Sequence, residues 1–121
     1  MLSCNTKPEE FAEQIRKAIA NFDQPLALEI EEALKGKAKT ELRLQVRNCL
    51  APLDRKNFKL LAKAGLLLDM QVKYVGDPKY AEQYEGLELQ VDSMDEHSLI
   101  TCRKPDGYLT TRMKPEELEK L

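Results

Sequence analysis

The single histidine of the chain, His97, stands close to three acidic residues, a combination that resembles a metal site or an acid–base pair. The carboxylates belong to Asp92, Asp95 and Glu96. Carboxylate and imidazole groups are ordinary metal ligands and ordinary proton-transfer groups. The same residue types are also typical of hairpin turns, where they face solvent. We interpret this stretch as a solvated turn, and we assign no catalytic residue and no metal ligand to it.

Other patterns required for familiar chemistry are absent from the sequence. No serine lies in a nucleophile elbow, and no glycine-rich phosphate loop is present. The cysteines, Cys4, Cys49 and Cys102, are odd in number and widely separated, which argues against a disulfide framework and a zinc site. Cys49 and Cys102 fall on apolar faces, so we expect them to be buried. The sequence therefore favours a non-enzymatic protein that needs no cofactor.

Basic residues are concentrated in the middle of the chain. Residues 35–63 carry nine basic side chains and two acidic ones, a net charge of +7, whereas the whole protein has a net charge of −2. Five of these basic side chains form rows on two predicted helices, and we identify them as candidate anion-binding residues: Arg43, Arg47, Lys56, Lys59 and Lys63.

Three interpretations of these basic rows remain open. They can pair with acidic residues of the preceding helix, bind an acidic protein partner, or bind the phosphate backbone of RNA or DNA. A pI of about 5.5 and the acidic second half argue against nucleic acid, which is the alternative function. For these rows the sequence favours pairing within the fold first, an acidic protein partner second and nucleic acid third.

The first half of the chain has the apolar spacing of helices. Four helical stripes are separated by residues that begin or end helices: Asp23 as an N-cap, Gly36 as a stop, Pro52 as a break, and Gly65 as a left-handed C-cap. The third helix is expected from Thr40 to Pro52 and the fourth from Asp54 to Gly65. Short connections predict antiparallel neighbours, and hence two consecutive helical hairpins.

After residue 66 the apolar period falls to two, which predicts strands. Four are expected, over 68–74, 87–91, 98–103 and 108–113, with a long loop between the first two and a helical turn beginning at Pro115. The fold class is therefore α+β, with a helical region at 1–66 and a small antiparallel β-barrel region at 67–121.

The second half also resembles a known architecture. The segments 72–76, 84–91 and 112–118 follow the layout of an SH3-like barrel, a fold found in accessory subunits of photosynthetic complexes and in ribosomal and transcription-elongation proteins. The resemblance covers about 55 residues. It implies the barrel architecture and binding through the long loop, and it implies no catalytic residue.

Aromatic and basic residues around that loop form the predicted partner-binding surface. Tyrosine suits interfaces because it buries a large area and keeps a polar tip. In the alternative interpretation the loop tyrosines only pin the loop. The partner-binding residues predicted here are Lys73, Lys79, Tyr80, Tyr84, Arg103, Tyr108 and Arg112.

Composition sets the remaining expectations. The chain has 121 residues, is 42% hydrophobic and contains no apolar run long enough for a membrane span. Since no leader-like segment is recognisable either, we expect a cytoplasmic protein. The predicted function is that of an interaction or adaptor module for a protein partner, and the sequence leaves a homo-oligomer open.

Overall fold

A computed structural model of the chain describes residues 6–76, 84 and 87–121. Within them, four α-helices are followed by a four-stranded antiparallel sheet, so the predicted α+β class is confirmed. The chain divides into two compact units, which we call the helical unit, Met1–Gly65, and the strand unit, Leu66–Leu121. None of the described helices combines the length and the apolar character needed to cross a membrane.

The helical unit contains α1 (Pro8–Ala20), α2 (Gln24–Ala33), α3 (Thr40–Asn48) and α4 (Pro52–Ala64). A short 3-10 turn at Lys37–Lys39 precedes α3. All four helices coincide closely with the apolar stripes of the sequence, because local spacing largely determines where an amphipathic helix forms.

Two helix ends follow the sequence prediction, whereas the end of α3, at Asn48 instead of Pro52, and the start of α4 differ from it. The Asp23 carboxylate accepts a hydrogen bond from the Leu26 N–H at 3.1 Å and caps α2. Gly65 closes α4 with a φ of 67°, the left-handed conformation that glycine adopts without strain. The predicted start of α4 at Asp54 is wrong, since the helix begins at Pro52. Proline fits the first turn of a helix, where its missing N–H has no helical partner.

Helix α1 is the centre of the helical unit. It packs against α2, α3 and α4, and α2 also packs against α4. The shared core contains Phe11, Ile15, Ile30 and Val46, with Phe58 partly buried against it. Among the described helices, α3 and α4 are not a closely packed pair. The second helical hairpin is therefore splayed, in contrast to the close antiparallel pair that the short connection predicted.

The strand unit is built on β1 (Gln71–Tyr74), β2 (Leu89–Met94), β3 (Ile100–Arg103) and β4 (Leu118–Lys120). The strand order is β3-β2-β1-β4, and each neighbouring pair is antiparallel. The sheet formed by these strands is not closed. Its core consists of inward-facing residues that alternate along the strands: Val72, Leu89, Val91, Ile100 and Cys102.

The fourth strand differs from the prediction. Residues 108–113 contribute only two isolated bridges, Leu109 with Arg103 and Met113 with Ile100. Between them the Thr110 hydroxyl accepts the Cys102 N–H at 3.0 Å, in the place of a backbone carbonyl, and interrupts the ladder. The fourth strand of the sheet instead follows a 3-10 turn at Pro115–Glu117, where the sequence predicted a helical turn.

Candidate functional site

The helical unit contains an open groove of about 580 Å³, which we call the basic groove. All four helices contribute to its lining, and its wall is mainly apolar. The apolar residues are Ile15, Leu34, Val46, Leu50, Pro52 and Phe58. The charged residues are Arg43, Arg47, Arg55, Lys56, Lys59 and Glu31.

The groove arises from the splayed arrangement of α3 and α4. Val46 on α3 and Leu50, which lies two residues beyond the end of α3, are both buried. Arg43 and Arg47 are four residues apart on a face of α3 next to Val46 and are exposed. Since α3 and α4 each pack on α1 and not closely on each other, the apolar floor stays open between them.

Four cations of the basic groove are uncompensated. Within residues 6–76, the side chains of Arg47, Arg55, Lys56 and Lys59 have no ion-pair or hydrogen-bond partner. The single carboxylate of the lining, Glu31, lies 2.8 Å from the Lys63 ammonium and is thereby neutralised. Because cations above an apolar surface attract and orient anionic groups, the groove is suited to an anionic ligand that also has an apolar part.

Arg43 has a structural role that the other groove cations lack. Its Nη1 donates hydrogen bonds of 2.7 Å to the carbonyls of Leu34 and Gly36, and its Nη2 donates to the Thr40 hydroxyl at 3.2 Å. The carbonyls at the end of α2 have no helical partner of their own. Arg43 therefore closes α2 and ties it to the start of α3.

The structure places four of the five candidate anion-binding residues in the basic groove. These are Arg43, Arg47, Lys56 and Lys59, whereas Lys63 is bound to Glu31 and is not part of the lining. Sequence reasoning missed Arg55. Its position four residues before Lys59 on α4 was the available signal, since residues at that spacing share a helix face.

The predicted partner-binding tyrosines have different positions. Lys79 and Tyr80 lie outside the described residues. Tyr84 is 5% exposed, and its hydroxyl is 3.1 Å from the Thr111 hydroxyl. Its ring meets Tyr74 edge to face at a centroid distance of 5.4 Å. This geometry favours the loop-pinning interpretation for Tyr84, because a buried ring offers a partner little surface.

Of the remaining predicted partner-binding residues of the strand unit, two form ion pairs with aspartates and two are exposed to solvent. Arg103 Nη2 lies 2.9 Å from Asp69 Oδ1, and Arg112 Nη1 lies 3.3 Å from Asp95 Oδ2. Lys73 is exposed on β1. Tyr108 is 72% exposed at the hairpin that Gly107 turns with a φ of 91°. The basic residues Arg103 and Arg112 are thus already bound within the strand unit.

Asp95 stabilises the turn that contains Glu96 and His97. Its Oδ1 accepts the backbone N–H of His97 at 2.8 Å and that of Leu99 at 3.0 Å. These hydrogen bonds, the one from Leu99 foremost, lower the pKa of Asp95, and Arg112 adds to the effect. The His97 ring is exposed beside Glu96. In the part of the chain that the structure describes, no group of three His, Cys, Asp or Glu side chains is arranged to hold a metal ion.

The two described cysteines have opposite environments. Cys102 is fully buried, as expected, and burial raises the pKa of its thiol to about 12. Cys49 is exposed, which corrects the prediction that it is buried. Helix α3 ends at Asn48, so Cys49 is the C-cap and no longer continues the apolar face of the helix.

Comparison with known proteins finds no matching family model, no similar curated protein and no similar solved structure. The function is therefore inferred from the chemistry of the described residues. The basic groove is where that chemistry is most specific, since it combines an open, mainly apolar wall with cations that have no partner within residues 6–76.

Proposed function

We propose that this chain is a non-enzymatic interaction module whose helical unit binds an acidic protein partner at the basic groove. One observation carries the proposal: four cations that have no side-chain partner within residues 6–76 line an open groove whose wall is mainly apolar. A folded protein gains little from keeping like charges together, so the arrangement favours a ligand that neutralises them.

The apolar floor favours a protein over a nucleic acid. A phosphate backbone would satisfy Arg47, Arg55 and Lys59 but would leave the exposed apolar surface of Pro52 and Phe58 without an apolar contact. A protein segment can supply carboxylates and apolar side chains together, and arginine is enriched where partners meet. RNA or DNA binding is the alternative function that the capture experiment has to exclude.

For the strand unit we keep the SH3-like architecture as a proposal. It is supported by the strand order β3-β2-β1-β4, by the 3-10 turn before the last strand, and by the bridges that residues 109 and 113 make to the outer edge of β3. In this arrangement Tyr84 anchors the long loop. Exposed residues such as Lys73 and Tyr108 are then available for a second contact with the same or another partner.

The test is affinity capture from the native lysate with a pair of charge-matched variants. Arg47→Glu/Lys59→Glu reverses two groove cations that have no partner in the described helical unit. Lys7→Glu/Lys37→Glu makes the same change of charge at exposed positions outside the groove, ahead of α1 and α3, where a negative charge is tolerated. We expect an acidic protein to be captured by the wild type and the control and lost with the groove variant.

Two results would contradict the proposal. Identical partners for the wild type and the groove variant would remove the basic groove from the interaction. Binding of RNA or DNA that depends on Arg47 and Lys59 and weakens steeply with added salt, without any captured protein, would establish the alternative function.

A further inference from the structure

We infer that the acidic partner presents an amphipathic α-helix to the basic groove. Its apolar face would lie on Pro52 and Phe58, the apolar lining residues that keep exposed surface, and its carboxylates would meet Arg47, Arg55 and Lys59. This inference deepens the proposed function and rests on it. It adds the conformation and the residue pattern of the partner segment.

The backbone of the groove walls argues for a helical ligand. Both walls, α3 and α4, are helices whose backbone N–H and C=O groups pair within the helix. They offer no free edge with which an extended peptide could form a ladder. An extended segment on the apolar floor would leave its own buried backbone groups without partners, whereas a helix satisfies them internally.

The spacing of the cations also fits a helix. Arg55 and Lys59 are four residues apart on α4, which corresponds to a rise of about 6 Å. Carboxylates four residues apart on a ligand helix have the same rise, so a helix lying along α4 brings both pairs into register. Arg47 stands on the opposite wall, on α3, and can bind a carboxylate on the other flank of the ligand helix.

The apolar surface has room for more than one anchoring side chain. A volume of about 580 Å³ is within the range of pockets that enclose a whole small ligand. Leu44 and Leu53 are more than half exposed and lie one turn from Arg47 and Lys56, respectively, outside the lining of the groove. A ligand helix with apolar residues at i, i+3 or i+4, and i+7 presents the matching stripe.

The experiment uses the full chain and three synthetic peptides of one length. The first is an acidic amphipathic sequence of about five turns, roughly 18 residues. The second is a shuffled peptide of identical composition whose apolar residues no longer share a face. The third keeps the apolar stripe but carries lysine in place of every glutamate. Calorimetry measures the affinities, far-UV circular dichroism follows helix formation in the peptide, and amide NMR shifts locate the site.

We expect the first peptide to bind, to become helical, and to shift signals of residues 43–59. The shuffled peptide should bind at least about tenfold more weakly, and the lysine peptide should not bind. Arg47→Glu/Lys59→Glu should weaken the first peptide by about tenfold or more, whereas Lys7→Glu/Lys37→Glu should leave its affinity unchanged.

Equal affinity for the first and shuffled peptides, binding without helix formation, or shifts outside the groove would overturn the inference. So would binding of dodecanoate, a simple anionic amphiphile, at the groove in the absence of any peptide binding. The two proposals fail separately. If capture of the native partner depends on the groove while no peptide binds, the helical ligand is wrong and the interaction module stands. If capture ignores the groove variant, the proposed function fails.

Discussion

Arginines of the strand unit and cations of the basic groove differ in whether they have an ion-pair partner. In the strand unit, Arg103 and Arg112 are bound to aspartates of neighbouring segments. In the helical unit, Arg47 and Lys59 line a groove and have no partner within the described residues. Arg103 and Arg112 thus contribute to the fold of the strand unit, whereas Arg47 and Lys59 are available to another molecule.

Charge content alone therefore does not locate a binding surface. Arginines and lysines occur in both regions, and the sequence predicted the partner-binding surface around the long loop of the strand unit and a candidate anion-binding row on the helices. Once the partners of each side chain are known, the better candidate is the region where charge is unpaired and lies beside exposed apolar surface. Three predictions test this contrast.

The largest expected effect concerns two tyrosines that the sequence grouped together. Tyr84→Ala should lower the free energy of unfolding of the strand unit by about 3 kcal/mol, because it empties a buried site and removes the contact with Tyr74. Tyr108→Ala should change it by less than about 0.5 kcal/mol, because that ring is 72% exposed. Urea unfolding followed by NMR signals of β1–β4 measures both.

The variant Tyr84→Phe distinguishes the contribution of the hydroxyl to stability from that of the ring. It should cost about 1–2 kcal/mol, because the hydroxyl loses its hydrogen bond with the Thr111 hydroxyl at 3.1 Å and the one it accepts from the Thr111 N–H at 3.4 Å. If Tyr84→Ala folds as stably as the wild type and loses a partner instead, Tyr84 belongs to a binding surface and the contrast between the two units fails.

A smaller effect on stability is expected to distinguish an arginine that forms hydrogen bonds within the fold from one that does not. Arg43→Met should lower the stability of the helical unit by about 1 kcal/mol, since the hydrogen bonds that join the end of α2 to the start of α3 are lost. Arg47→Met should leave stability within about 0.5 kcal/mol of the wild type. Thermal unfolding followed by circular dichroism checks the pair, and equal losses would show that Arg47 also has a structural partner.

The smallest effect is a pH dependence in the strand unit. Hydrogen bonds to its ionised form lower the pKa of Asp95 in the folded state. A group of this kind stabilises the fold above its ordinary pKa, and that contribution is lost as the pH falls through the lowered value. The stability difference between wild type and Asp95→Asn should therefore shrink as the pH is reduced from about 6 to about 2. A difference that is independent of pH would contradict this.

Local features of the fold were predictable from the sequence. The helical stripes, the Asp23 cap and the left-handed Gly65 depend on residues close together in the chain, so spacing and residue type suffice. The class of the fold followed from the change of period near residue 66. These features are decided within a few turns of helix or a single strand.

Features that depend on distant residues were not predictable. Strand β4 has a single buried residue, Leu118, and forms because it pairs with β1 about 45 residues earlier. The capping role of Arg43 depends on how α3 lies against the end of α2. The basic groove depends on how α3 and α4 pack relative to each other, and the positions of apolar residues in the sequence do not predict this.

The connection between α3 and α4 is restrained by a proline and by a hydrogen bond from α1. Pro52 restricts the backbone at the start of α4, and the Arg16 guanidinium donates to the carbonyl of Cys49 at 3.3 Å within this connection. A ligand entering between these helices therefore loses little free energy to reshaping the protein. Exchanging the unpaired side chains around the opening would then redirect recognition toward ligands of another charge while the scaffold stays the same.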